Sequence, residues 1–256
     1  MPISLASAWR PRGELGRFQK LLPQLNQVYA SIAISLPPDA DNEIIRALEA
    51  QNICIAVKRD WSHGRHAALA KALESNADHI HYCDFDRLLH WVETRPDEWL
   101  DIITQSQTTD CLIVGRTERA YQTHPRALVE TEAISNVVAS QLLGRKMDLS
   151  AGSKSFSRKA AQYLMQHSPP GRALGMDAEW TLLLHYAGFR VDYVEADGLD
   201  WESADRYADV AADRDAQQRA ADAYDADPKH WARRVEIALE IVERALATES
   251  HRSTQK

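Results

Sequence analysis

The stretch His79-Ile80-His81-Tyr82-Cys83-Asp84-Phe85-Asp86 decides how this chain is read. Its first five residues form a short run of strand length, and two carboxylates separated by one residue follow directly. Upstream, apolar runs at 3–8, 29–36 and 53–57 read as strands. They alternate with helical patterns at 15–28, 42–50 and 66–74, the first with Phe18, Leu21, Leu22 and Leu25 on one face. Strand–helix alternation with short connections implies an α/β chain with a mainly parallel sheet flanked by helices. Ligands of such sheets gather at the carboxyl ends of the strands. Asp84 and Asp86 stand at such an end.

Downstream the pattern loosens. Residues 110–115 read as a strand, 125–143 as a helix and 151–156 as a short strand, after which Ser157 caps a helix running to Met165. A helix at 177–186 stops at Gly188, and 189–194 returns as a strand. From Ser203 the chain is rich in Ala, Asp, Arg and Gln and reads as helical. We therefore expect a domain at 1–200 and a helical C-terminal extension at 201–256. In the extension Trp231, Val235, Ala238, Val242 and Leu246 share a stripe, expected to pack on the domain or on a second subunit in a homodimer. A membrane-surface helix is the sharper alternative, disfavoured by Glu236, Glu240, Glu243 and Glu249.

Composition narrows the classes. The 256 residues are 45% hydrophobic and 26% charged, as in ordinary folded chains. A net charge of −7 argues against a nucleic-acid partner, which calls for a basic face. Cys54, Cys83 and Cys111 lie in apolar runs and read as buried free thiols of a reducing compartment. The first residues lack the pattern of a signal peptide, and no transmembrane segment is expected. The expectation is a soluble, cytoplasmic protein.

Two aspartates one residue apart repel each other unless a cation is near. Mg²⁺ or Mn²⁺ takes few protein carboxylates and completes its shell with phosphate oxygens and water, which is how a nucleoside diphosphate becomes a good leaving group. The same spacing recurs at Asp39/Asp41, Asp213/Asp215 and Asp225/Asp227. The last two pairs lie in a polar helical region and Asp41 suits a helix N-cap, so Asp84/Asp86 is the pair expected to hold metal.

Gly64-Arg65-His66-Ala67-Ala68-Leu69, the helix after it, and the strand ending in Asp84-Phe85-Asp86 resemble glycosyltransferase family 2, most of all its polyprenyl-phosphate mannosyltransferase branch. The resemblance continues through Asp110-Cys111-Leu112-Ile113-Val114-Gly115-Arg116, then Asp148, Ser150-Ala151-Gly152 and Phe156-Ser157-Arg158, then Asp177-Ala178-Glu179, Gly188 and Glu195. It implies the GT-A fold, Rossmann-like and built to bind a nucleoside-diphosphate sugar donor. By the same resemblance Asp84 and Asp86 hold Mg²⁺ or Mn²⁺ on the donor, and Glu14 helps hold the nucleoside. Arg65 faces the donor, Arg116 and Arg158 contact phosphate, and Asp177 or Glu179 is the general base. Arg65 also stands at a helix N-terminus, which favours anions on its own. The plainer readings are a first-turn helix charge for Glu14, a solvated charge for Arg65, an N-cap for Asp177 and structural ion pairs for Arg116 and Arg158. His185 could complete a metal shell or simply pack.

The pattern also departs from the family. Ser35-Leu36-Pro37-Pro38-Asp39-Ala40-Asp41 keeps one plausible base-recognising aspartate, Asp41, and Trp9-Arg10-Pro11-Arg12-Gly13-Glu14 adds basic charge to the first loop. The expected activity is hexose transfer to a hydroxyl or phosphate acceptor, either a small molecule or a lipid phosphate. Its competitors are a catalytically degenerate binding protein and a sugar-phosphate nucleotidylyltransferase. The latter wants a Gly-rich first loop, and this loop has one glycine.

Overall fold

A computed structural model describes residues 1–57, 63–170 and 175–254, with side chains to residue 250. Seven strands form one sheet: β1 (Ile3–Ala8), β2 (Ser31–Leu36), β3 (Cys54–Val57), β4 (His79–Cys83), β5 (Cys111–Arg116), β6 (Ser153–Ser157) and β7 (Val191–Ala196). Their order is β3-β2-β1-β4-β6-β5-β7. Every pairing is parallel except those of β6, which runs antiparallel to both β4 and β5.

Alternation along the strands sorts the core onto two faces. Ile3, Leu5, Ile32, Ile34, Leu112 and Val114 pack toward α1 (Leu15–Val28), α2 (Asn42–Glu49), α4 (Phe85–Thr94) and α5 (Pro96–Ser106). Ala6, Ala33, Ile80, Tyr82, Ile113 and Phe156 pack toward α3 (Gly64–Ala72), α7 (Arg126–Leu143), α8 (Arg158–His167) and α9 (Met176–Tyr186). A short α6 (Glu118–Tyr121) precedes α7. After β7 a 3-10 turn (Glu202–Asp205) leads to α10 (Arg214–Asp225) and α11 (Pro228–Thr254), and α11 lies against α7 and α9.

The N-terminal alternation matches the expected order, with shifts of one or two residues at several ends. Helices α4 and α5 were not anticipated. In α4, Phe85, Arg87, Leu88, Leu89, His90, Trp91 and Val92 are all buried, so the helix carries no one-sided stripe to read. The stripe expected on α11 is out of phase. Ile237, Ala238, Ile241 and Ala245 are buried, whereas Val235 and Leu246 are exposed, because this helix carries apolar residues on more than one face. Cys54 is exposed rather than buried, since β3 is an edge strand; Cys83 and Cys111 are buried free thiols. Among the described residues no helix is long and apolar enough to cross a membrane.

Candidate active site

Chain direction puts the carboxyl ends of β1, β2, β4, β5 and β7 at one rim. Asp84 follows β4 there and occupies the N-cap position of α4, with extended backbone and no side-chain cap bond. Its carboxylate is directed sideways: Oδ2 accepts from Arg65 Nη2 at 2.7 Å, and Oδ1 accepts from the Tyr82 hydroxyl. Behind it, the Asp84 N–H donates to the Gly152 carbonyl at 2.9 Å. Gly152 has φ +71°, and a Cβ there would lie 2.5 Å from Asp84 Oδ2, so this position requires glycine.

Arg65, in the first turn of α3 and 7% exposed, also donates through Nη1 to Asp177 Oδ1 at 2.7 Å. Lys154 Nζ, from β6, reaches the same oxygen at 2.9 Å. Asp177 is 2% exposed; burial pushes its carboxyl up, but Arg65 and Lys154 outweigh that and hold it below the ordinary range. Asp86 sits one turn into α4, half-buried, with Oδ1 accepting from the Arg87 N–H at 3.1 Å. Burial, with Glu202 and then Asp84 as like-charged neighbours, pushes its carboxyl up. Phe85, between the two aspartates, stacks on Trp9 with ring centroids 4.3 Å apart.

These groups meet in a cavity of about 210 Å³. Arg65, Asp84, Asp86 and Asp177 line it from the sheet side, Ser150, Trp201, Glu202 and Arg206 from the loops, and Tyr224, Arg234, Ile237 and Ile241 from α10 and α11. Four buried polar atoms of this lining have no hydrogen-bond partner: Ser150 Oγ, Trp201 Nε1, Glu202 Oε2 and Arg234 Nε. Buried polar groups are normally satisfied, and three of these four can donate a hydrogen bond into the cavity while Glu202 Oε2 accepts one. Among the described residues no three His, Cys, Asp or Glu side chains are grouped to hold a metal. A cation that takes two carboxylates and completes its shell from a diphosphate nevertheless fits, because Asp86 shares the cavity with Glu202, whose Oε2 has no hydrogen bond and lies 3.5 Å from Arg87 Nε.

The other expected site residues lie elsewhere. Glu14 is buried outside the lining, accepting from Trp9 Nε1 at 3.2 Å and from the Arg12 N–H at 2.5 Å, so it shapes the first loop. Asp41 is an exposed N-cap, accepting from the Glu43 N–H at 2.8 Å. Arg116 lies at the correct rim but outside the lining, tied to two carboxylates: Nε donates to Asp148 Oδ2 at 2.7 Å, and Nη2 to Asp148 Oδ1 at 2.9 Å and Glu132 Oε2 at 2.6 Å, while its buried Nη1 has no hydrogen bond. Burial would raise the Asp148 carboxyl, but this bidentate contact brings it down to about 2. Glu132 in turn pairs with Arg234 of α11.

Arg158, expected to contact phosphate, is placed away from the cavity. Antiparallel β6 places Ser157 opposite His79, at the far end of β4 from Asp84. There Arg158 donates to the carbonyls of Leu73, Ser75 and Ala77, closing the chain after α3. Glu179, two positions beyond Asp177 on α9, faces away from the cavity and accepts from Ser168 Oγ at 2.9 Å. His185 is exposed near the end of α9. Glu202, Arg234 and Lys154 were not singled out in the sequence; the clue for Glu202 was Asp200-Trp201-Glu202 just past the carboxyl end of a strand.

No family model and no curated protein matches the chain by sequence. Among solved structures it is similar to glucosyl-3-phosphoglycerate synthase of M. tuberculosis, with TM-score 0.57 and 14% identity over 96% of this chain and 80% of that one. It is similar also to mannosyl-3-phosphoglycerate synthase from Rubrobacter xylanophilus, with TM-score 0.53 and 13% identity over 98% and 75% of the two chains. A structure of the M. tuberculosis synthase in complex with Mn²⁺, uridine-diphosphate and phosphoglyceric acid gives TM-score 0.51 and 14% identity over 76% and 68%. The fold is GT-A. The mainly parallel seven-stranded sheet with its C-terminal helices is therefore a GT-A sheet, as the resemblance implied.

Proposed function

We propose that the protein is a glycosyltransferase that moves a hexose from a nucleoside-diphosphate sugar to a hydroxyl of a small anionic acceptor. One observation carries this reading: the cavity joins Asp84, Asp86 and Arg65 at the strand ends to unpartnered donors on the opposite wall. A bound Mg²⁺ or Mn²⁺ would supply charge neutralisation of the donor diphosphate. Asp86 is the member of the Asp84/Asp86 pair that is open to ligate it, since Asp84 is engaged by Arg65 and Tyr82. Arg65, at the N-terminus of α3, contributes a cation and backbone amides on the donor side.

In the transfer the bond from the sugar C1 to the diphosphate breaks, and its electron pair leaves with the nucleoside diphosphate. The acceptor oxygen bonds to C1, and its proton passes to Asp177, the expected base that faces the cavity. Arg65 and Lys154 keep Asp177 in the ionised state a base needs, at some expense of basicity. On the opposite wall Ser150, Trp201, Arg206 and Arg234 suit an acceptor with carboxylate or phosphate oxygens. The family 2 likeness, with its polyprenyl-phosphate branch, supports inversion at C1. The synthase crystallised with phosphoglyceric acid supports a small acceptor rather than a lipid phosphate. Asp86 and Arg65, within residues 1–200, would then serve the donor, and 201–256 would supply most of the wall opposite.

The test is a thermal-shift screen of UDP, GDP and dTDP and their sugars, with and without Mn²⁺. One nucleoside should raise the melting temperature, and only with the metal. No shift with any of them removes the transferase reading.

A further inference from the structure

The buried charges around the cavity resolve into two neutral sets and a remainder. Arg65 and Lys154 pair with Asp84 and Asp177. Arg116 and Arg234 pair with Asp148 and Glu132. Among the described residues this leaves two cavity carboxylates, Asp86 and Glu202, faced by the buried Arg87 and by Arg206 of the lining. Glu202 is 5% exposed, its Oε2 has no hydrogen-bond partner, and Arg87 Nε is 3.5 Å away. Glu202 Oε2 therefore lacks the hydrogen bond that a buried polar atom normally has, which a closer cation or donor would supply.

The loop carrying Glu202 is fixed with unusual care. His90, 1% exposed, bonds Asp200 through Nε2 and Asp205 through Nδ1, each at 2.7 Å. The two aspartates flank Glu202, so one imidazole holds both sides of the turn. Arg17 of α1 holds Asp205 again at 2.7 Å. His90 is four residues after Asp86 on α4, and positions i and i+4 share a helix face. The staple therefore brings the turn to the face of α4 that presents Asp86.

We propose that Asp86 and Glu202 are the two protein ligands of the divalent cation, and that His90 is the positioning residue that delivers Glu202 to it. Asp84 then acts one step removed, holding Arg65 toward the donor. This assignment rests on the glycosyltransferase reading for its purpose, but cation binding is measurable without it. Two carboxylates are a sufficient protein share for an ion that retains water and accepts diphosphate oxygens.

The experiment is a Mn²⁺ titration of the full chain, free Mn²⁺ being read by electron paramagnetic resonance, alone and with UDP. Glu202→Gln and Asp86→Asn should each weaken Mn²⁺ binding about tenfold or more, and His90→Gln by a comparable factor through the lost staple, while Asp84→Asn changes it by less than about threefold. His90→Gln should also broaden the spectrum of bound Mn²⁺, which a merely structural loss of stability would not do. If Glu202→Gln is poorly folded, Glu202→Asp takes its place; it keeps the charge, withdraws the carboxylate and should still weaken binding. Wild-type affinity in either Glu202 variant overturns the proposal, as does a wild type that takes up no Mn²⁺ in either arm. Glu202-dependent Mn²⁺ binding without any nucleotide-induced thermal shift keeps the site and removes the transferase reading.

Discussion

The two ends of β4 each hold an arginine tied to α3, and the two are used in opposite ways. At the His79 end, Arg158 gives its guanidinium to three backbone carbonyls that end the helix segment. At the Asp84 end, Arg65 in the first turn of α3 gives its guanidinium to two carboxylates that line a cavity. Three backbone carbonyls converge on that one guanidinium, so Arg158 serves the closure of the chain after α3. Carboxylates that line a cavity can trade partners, and under the proposed function Arg65 would exchange part of its contact for phosphate oxygens. The lesson is that the acceptor, not the arginine, tells structure from function.

The sharpest way to break this comparison is Arg65→Lys. An ammonium keeps the charge but not the fork across Asp84 and Asp177, so kcat/KM should fall about 100-fold or more while the melting temperature moves little. Steady-state kinetics beside a melting curve decides it; an unchanged kcat/KM would make Arg65 as structural as Arg158. Arg158→Met should show the converse. Losing charge-assisted bonds to three carbonyls should cost about 2–3 kcal/mol, or about 6–10 °C of melting temperature, with donor affinity intact. A loss of donor affinity in that variant would mean that the far end of β4 communicates with the site.

A third cation, the imidazolium of His90, can be removed by pH. Burial lowers its pKa, but Asp200 and Asp205 win and raise it to about 9 from an ordinary value near 6.5. Its contribution to stability is therefore complete below about pH 6.5 and is lost as pH rises through about 9. The melting temperature should drop by about 5 °C between pH 7 and pH 10, and His90→Gln should lack that step. Smallest is Asp41→Ala, the loss of an exposed N-cap. It should cost about 1 kcal/mol, near 2–4 °C, and leave nucleotide affinity unchanged. Weaker nucleotide binding would restore Asp41 to the donor site.

The sequence made the rim of the sheet legible, because Asp84 follows its strand with no intervening residue and the strands before it are short and regularly spaced. Arg65, Asp84, Asp86 and Asp177 were all in view and do line one cavity. Arg158 lies away from that cavity for a topological reason: a residue after an antiparallel strand emerges at the opposite end from one after its parallel neighbours. Glu202 and Arg234 were illegible because their partners, Arg87 and Glu132, lie more than a hundred residues away, where no spacing rule reaches. The seam of α11 was missed in phase, since its buried Ile237 and Ile241 compete with an equally apolar exposed row.

Phe85 gives the two aspartates a mechanical property. The ring lies against Trp9, with Phe18 behind it at 5.2 Å, so the residue between Asp84 and Asp86 is riveted into the core. Neither carboxylate is on a free loop, and the separation of their attachment points is set by the first turn of a helix. The pair is a rigid caliper with a fixed gap. A ligand of the wrong size cannot spread it, and the opposite jaw, the turn that carries Glu202, is pinned by His90 on both sides.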